Sequence, residues 1–222
     1  MPTLVTRRFA SRTALDAALA QRLGQAISAI GASAIMLSGG STPLPAYRAL
    51  ARNPPPHDDG LQLLFSDDRY VPSEADASNY HQARPLLDAL ALPASSVARV
   101  RTELPLDEAA RDYERSLAAL LAAGVPLGLG LLGLGADGHT ASLFGPQDLQ
   151  RAHGRLAIAV QRPDGMSAVS VTPDFLARVG ELVFVVAGSG KQDAIQALAA
   201  QDLKSTAWRA VQGCAGVQLW CA

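Results

Sequence analysis

With only two cysteines in 222 residues, Cys214 and Cys221, this chain has neither a disulfide framework nor a cysteine pattern that would ligate a metal. Both are expected to be free thiols, as suits a reducing compartment. An excess of either charge is missing as well. The 19 basic residues face 20 acidic ones, for a net charge of -1, so no basic surface recommends nucleic acid or an anionic membrane as a partner. A small anion can still be held locally. The start, MPTLVTRRFASRTALDAALA, has no long apolar core of the signal-peptide kind, and no run approaches the roughly 18 to 20 apolar residues of a membrane span. The expectation is a soluble, cytoplasmic protein. No internal repeat is evident, and the only linker-like stretch, NPPPHDDG at Asn53 to Gly60, is too short to mark a boundary. Residues 1–222 therefore read as a single domain, long enough to bury a sizeable core.

Several signatures of common chemistries are also absent. No G-x-S-x-G elbow is present, which argues against a serine hydrolase of that type. GLGLLG (Gly128 to Gly133) and GLGADG (Gly133 to Gly138) match G-x-G-x-x-G literally, but neither lies at a first strand-to-helix turn with an acidic residue about 20 positions on. Dinucleotide binding is not expected. GSGK (Gly188 to Lys191) lacks the upstream glycine and the following Ser or Thr of a nucleotide P-loop.

What is present is an alternation of short apolar runs and helical patterns. Leu15, Leu19, Leu23, Ile27 and Ile30 fall on one helical stripe behind a Ser11 or Thr13 cap, with Gly31 at its end. Strands are expected at Ala34 to Leu37, Leu61 to Phe65, Val97 to Arg101, Leu127 to Gly133, Leu156 to Val160, Ala168 to Val171, Leu182 to Ala187 and Val217 to Trp220. Pro43 suits the first turn of a helix, another helix starts near Ser78 or Asn79, and Asp107 caps one that runs to about Ala122. Ser66 to Ser78 reads as a long polar loop. This order predicts an α/β fold with a mainly parallel sheet covered by helices on both faces.

Three loops break from apolar strands into polar sequence. LLGLGADGHTASLFG (Leu131 to Gly145) places Asp137 and His139 where open α/β sheets hold their ligands, and a histidine there is suited to moving protons near neutral pH. A glycine-rich turn with an exposed histidine is the plain alternative. A metal site would need a third ligand, and none is spaced to join the pair. In SGGSTP (Ser38 to Pro43), Gly39 and Gly40 allow close backbone approach, Ser41 and Thr42 offer hydroxyls, and the amides of the next helix point to the same spot. A phosphate fits there, and so does a capped tight turn with no ligand. Lys191 opens a helix and can reach the same anion, or stand solvated on the surface. In SDDRYVP, Arg69 can hold a carboxylate, phosphate or developing oxyanion, while Asp67 and Asp68 can orient it or bind sugar hydroxyls; a charged surface loop is the alternative. His57, His81 and His153 lie in settings that suit surface or packing roles.

Taken together, SGGSTP at Ser38 to Pro43, SDDRYVP followed by Ser78 and Asn79, GLGADGHTASLF at Gly133 to Phe144, VSVTP at Val169 to Pro173 and GSGK resemble the 6-phosphogluconolactonases, a group related to the glucosamine-6-phosphate deaminases. The resemblance covers most of the chain in order. It implies the deaminase-like fold, a Rossmann-like three-layer sandwich without a dinucleotide. It also implies hydrolysis of 6-phospho-D-glucono-1,5-lactone in the pentose phosphate pathway, with no metal or organic cofactor. By that resemblance His139 is the general base, Arg69 stabilises the intermediate or positions the sugar, and Asp137 orients His139 or binds a hydroxyl. Ser38, Gly39, Gly40, Ser41, Thr42 and Lys191 hold the phosphate, and Asp67 and Asn79 join the substrate-binding set. The partner is a small phosphosugar lactone, and the chain leaves monomer and weak dimer open.

The deaminases share the phosphate loop but favour DEY and DGHIAFNEP where this chain has DDR and DGHTASLF, which makes the lactonase reading sharper. A deaminase or isomerase on the same scaffold, or a non-catalytic phosphosugar-binding protein, are the alternatives. Three departures stand out. Asp68 replaces the usual Glu, Ala168 replaces an Arg expected to bind phosphate, and the tail GVQLWCA lacks a common aspartate. Arg162 is a candidate to fill the place left at Ala168.

Overall fold

Strand alternation splits the interior into two cores. In β2 (Ser33–Leu37), Ile35 and Leu37 turn to one side while Ala34 and Met36 turn to the other, and all four are buried. A strand buried on both faces reads as an unbroken apolar run, which is the mark of a parallel sheet covered on each side. The computed structural model describes residues 3–222. Before β2 come β1 (Thr3–Arg8) and α1 (Arg12–Ile27). After it come α2 (Leu44–Arg52), β3 (Leu61–Phe65), β4 (Asp67–Arg69), α3 (Asn79–Leu90), β5 (Val97–Ala98), α4 (Leu106–Ala122) and β6 (Leu127–Leu132). The rest is α5 (Pro146–Arg151), β7 (Ala157–Gln161), β8 (Ser167–Val171), α6 (Pro173–Leu176), β9 (Leu182–Val186), α7 (Gln192–Ala199), α8 (Thr206–Val211) and β10 (Gly216–Cys221).

The main sheet has seven parallel strands in the order β1-β10-β9-β6-β2-β3-β5. On one face lie α1, α2 and α3, and on the other α4, α6, α7 and α8, which makes the expected three layers. Packing, not propensity, holds the helices in place. In α1, Leu15, Leu19, Leu23 and Ile27 recur every fourth residue and are sealed against the sheet, each contributing about 1.5 to 3 kcal/mol of apolar burial. A separate antiparallel sheet, β4-β8-β7, pairs Asp67 with Ser170 and Arg69 with Ala168. Both cysteines are free and buried, and among the described residues no helix is long and apolar enough to cross a membrane.

The structure corrects several expectations. Ser11 is the cap of α1, its hydroxyl accepting from Ala14 N–H, but the helix ends at Ile27 and Ile30 lies outside it, 100% exposed. Asp107 is inside the first turn of α4, where its charge favours the helix N-terminus, while Pro105 occupies the cap. The strand expected at Val97 to Arg101 shrinks to two residues. The polar loop from Ser66 contains β4, a strand whose two aspartates are satisfied by internal partners. β1, α5, α6 and α8 add to the elements that the sequence predicts.

Candidate active site

Strands β2, β3, β6 and β9 are adjacent and parallel, so their C-terminal ends deliver their following loops to one edge of the sheet. After β2, Ser38 to Pro43 turn through Gly40 at φ +88°, a left-handed conformation that glycine adopts without strain. A Cβ on Gly39 would lie 1.8 Å from Asn79 Oδ1, so only glycine lets that side chain close over the loop. Ser38 is fixed at both backbone groups by the buried Tyr47 hydroxyl, which donates to its carbonyl at 2.8 Å and accepts from its N–H at 3.2 Å. Gly40 N–H donates to Gln82 Oε1 at 3.0 Å. Among the described residues, the Ser41 and Thr42 amides have no protein acceptor. They sit just ahead of α2, whose N-terminus adds partial positive charge.

After β6, Gly133 to His139 folds back on itself. Gly135 N–H donates to His139 O, Gly138 N–H donates to Gly135 O, and Gly138 takes φ +81°. This loop brings Asp137 Oδ1 to 2.5 Å from His139 Nδ1 and 3.2 Å from the His139 amide. A carboxylate can only accept, so Nδ1 is the donor of this pair, which leaves Nε2 as the acceptor whenever the imidazole is neutral. Burial raises the Asp137 carboxyl, but hydrogen bonds and charge from His139 outweigh it and leave it below the usual range. A Cβ on Gly135 would lie 2.1 Å from His139 Nδ1 and 2.3 Å from Asp137 Oδ1. Lys191 reaches over the same loop and donates from Nζ to Leu134 O at 2.6 Å. Its pKa is pushed down by burial, against the pull of Asp137.

Arg69 enters from β4. Its Nη1 donates to Ala77 O at 3.1 Å and to Asn79 Oδ1 at 2.6 Å, while Nε is buried with no protein partner. Asn79 in turn donates from Nδ2 to Asp67 O at 2.8 Å. Both oxygens of Asp67 are committed, Oδ1 to Ser66 and Asn79 and Oδ2 to the Ser142 hydroxyl at 2.7 Å. Asp68 points away from the cavity and caps α3, accepting from the Asn79 and Tyr80 N–H groups and the Ser78 hydroxyl. Burial pushes its carboxyl up to about 6, against the pull of those hydrogen bonds.

All eleven residues expected at the site, Ser38, Gly39, Gly40, Ser41, Thr42, Asp67, Arg69, Asn79, Asp137, His139 and Lys191, lie at or beside one cavity of about 260 Å³; Asp137 touches it through His139. Asp67 and Asn79 face it with polar atoms already in use, so they support Arg69 as well as lining the wall. Arg162, from the turn between β7 and β8, also lines the cavity. Its guanidinium is held by Asp164 at 2.9 Å, donates to Ser142 Oγ at 3.3 Å, and lies 5.2 Å from the centre of the Phe144 ring. That ring stands 4.4 Å from the His139 ring. Ala168 lies opposite Arg69 in the β4–β8 register and is fully buried. Among the described residues, no three His, Cys, Asp or Glu side chains stand together as a metal cluster.

Residues 8–220 match the family described as glucosamine-6-phosphate isomerases/6-phosphogluconolactonase. The chain belongs to that family. A 6-phosphogluconolactonase of Synechocystis is 38% identical over 180 residues, covering 78% of this chain and 74% of its own. One from Rhizobium meliloti is 34% identical over 209 residues and covers 87% of both chains. Among solved structures, the 6-phosphogluconolactonase of Thermotoga maritima superposes with a TM-score of 0.83 at 25% identity, over 99% of each chain. Family membership and this fold therefore agree over nearly the whole length.

Proposed function

We propose that the chain is a 6-phosphogluconolactonase, hydrolysing 6-phospho-D-glucono-1,5-lactone to 6-phospho-D-gluconate in the oxidative pentose phosphate pathway. The observation that carries the reading is the Asp137–His139 pair sharing one cavity with Arg69 and with the unpartnered amides of Ser41 and Thr42. A cavity of about 260 Å³ suits a single sugar phosphate and is small for a dinucleotide. The two cores share the main sheet, which supports reading the chain as a single domain.

In this reading the phosphate sits on the Ser38–Pro43 loop, with Lys191 and Arg162 as the nearby cations. That remote contact places the lactone carbonyl beside His139. Nε2 takes a proton from water as its oxygen bonds to C1, and the carbonyl electrons move to oxygen. Arg69 balances that oxyanion, its planar fork held by Asn79 and Ala77. When the carbonyl re-forms, the bond from C1 to the ring oxygen breaks, and the imidazolium returns its proton to that oxygen. Asp137 holds the ring in the required tautomer throughout. The sequence consumes one water, yields the open hydroxy acid, and requires no metal or organic cofactor.

The test is to generate the lactone in situ and follow its disappearance above the spontaneous rate. Saturable acceleration, with no ammonia released from glucosamine 6-phosphate, is expected. Ammonia release in place of lactone hydrolysis would move the chain to the deaminase side of its family. Substrate binding without turnover would make it a phosphosugar-binding protein.

A further inference from the structure

Arg12 is the first residue of α1 and does not line the cavity, yet its guanidinium reaches across to the loop that does. Nη2 donates to the carbonyls of Ser41 and Thr42, both at 3.0 Å, while Nε donates to Asp16 Oδ1 at 2.7 Å. A trans peptide unit is planar, with its C=O and N–H pointing in opposite directions. Pulling the Ser41 carbonyl outward toward Arg12 therefore turns the Thr42 N–H the other way. The next peptide unit has no N–H to aim, because residue 43 is proline. Gly40 N–H is already taken by Gln82. The orientation of the Thr42 amide thus depends on Arg12 from outside the cavity.

We propose that Arg12 is a positioning residue for anion binding, fixing the Ser41–Thr42 peptide so that its N–H addresses the substrate phosphate. The inference rests on the phosphate reading of the Ser38–Pro43 loop. Arg12 acts here through geometry more than through its field, since Asp16 neutralises much of its charge at close range. The half-exposed setting keeps the effect modest, with one misdirected amide costing about 3- to 10-fold in affinity.

The experiment compares KM and kcat of the wild type, Arg12→Met and Arg12→Lys on 6-phospho-D-glucono-1,5-lactone and on unphosphorylated glucono-1,5-lactone. Arg12→Met is expected to raise KM about 3- to 10-fold for the phosphorylated lactone, with kcat within about twofold and no change on the unphosphorylated one. Arg12→Lys, able to reach a carbonyl but not to bridge two and bind Asp16 together, should fall between. An unchanged KM in Arg12→Met, or an equal loss on both substrates, would overturn the positioning role. If Arg12→Met does not fold, an unchanged KM in Arg12→Lys does the same. A wild type that treats both lactones alike would instead remove the phosphate reading, whatever Arg12 does.

Discussion

The two ends of the cavity are built by different means. Around His139 the working groups are side chains held by other side chains: Asp137 fixes His139, Asn79 fixes Arg69, and Asp67 fixes Asn79. At the Ser38–Pro43 loop the free groups belong to the backbone, and side chains from elsewhere, Tyr47, Gln82 and Arg12, hold the peptide in place. The first arrangement suits charge and protons that move during a reaction, where each group must be tuned separately. The second suits an anion that stays put, since amides cannot titrate and their geometry is set once on folding. Damage at the first end should appear in kcat, and damage at the second in KM.

The largest expected effect is His139→Ala, which should lower kcat by about 10²- to 10⁴-fold and leave binding of 6-phosphogluconate nearly unchanged. Wild-type turnover in a folded variant would remove the histidine from the mechanism. Gly135→Ala comes next. It leaves every polar group present but puts a methyl 2.1 Å from His139 Nδ1, so the pair must shift. A displacement of about 1 Å at the reacting group costs on the order of 10² in kcat, again with little change in KM. If both parameters stay at wild type, the Asp137–His139 geometry is not what sets the rate.

Lys191→Ala tests the other end and should sharpen the contrast. Losing a charge-assisted contact is expected to raise KM for the phosphorylated lactone roughly 10- to 150-fold, with a much smaller change for the unphosphorylated one. A pure kcat effect would place Lys191 with the dyad, whose loop carbonyl it touches. The smallest effect is on stability, and it belongs to Asp68. Its carboxyl titrates at about 6 when folded, against about 3.9 in an unfolded chain. Between those values the folded protein holds a proton that the unfolded chain has released, so this group makes stability fall as pH rises through that window. Asp68→Asn should flatten that part of a plot of urea midpoint against pH, and identical slopes in the two proteins would show that the proton resides elsewhere.

Much of this was legible because the main sheet leaves strong local traces. Its central strands are buried on both faces, so runs such as LQLLF and LVFVV stand out without any knowledge of their partners. The loops that follow them carry the polar residues, which is why the expected set converges on one cavity. What escaped notice depends on distant partners. β1 reads TLVTRR, exposed from Val5 to Arg8 at the sheet edge, and only β10 gives it a reason to be a strand. β4 reads DDR, and its charges are tolerated because Ser66, Ser78, Asn79 and Ser142 supply partners. In the sequence Arg162 stands out only as a candidate for the place of the arginine missing at Ala168. Its local sign is the R-P-D-G turn, in which Asp164 sits two residues on and grips the guanidinium. The reach of Arg12 to the loop leaves no local sign, since the two carbonyls it holds lie 29 and 30 residues away.

The pairing of β1 with β10 also sets an order of events during synthesis. Thr3 registers with Gly216 and Arg8 with Cys221, so β1 leaves the ribosome long before the strand it pairs with. Until then β1 has no neighbour, and β9 presents an open hydrogen-bonding edge along LVFVV. Closure of the main sheet is therefore a late, non-local step. A nascent chain stalled before residue 216 carries one unpaired strand and one open sheet edge, which makes it a natural client for chaperones and a substrate for quality-control proteolysis.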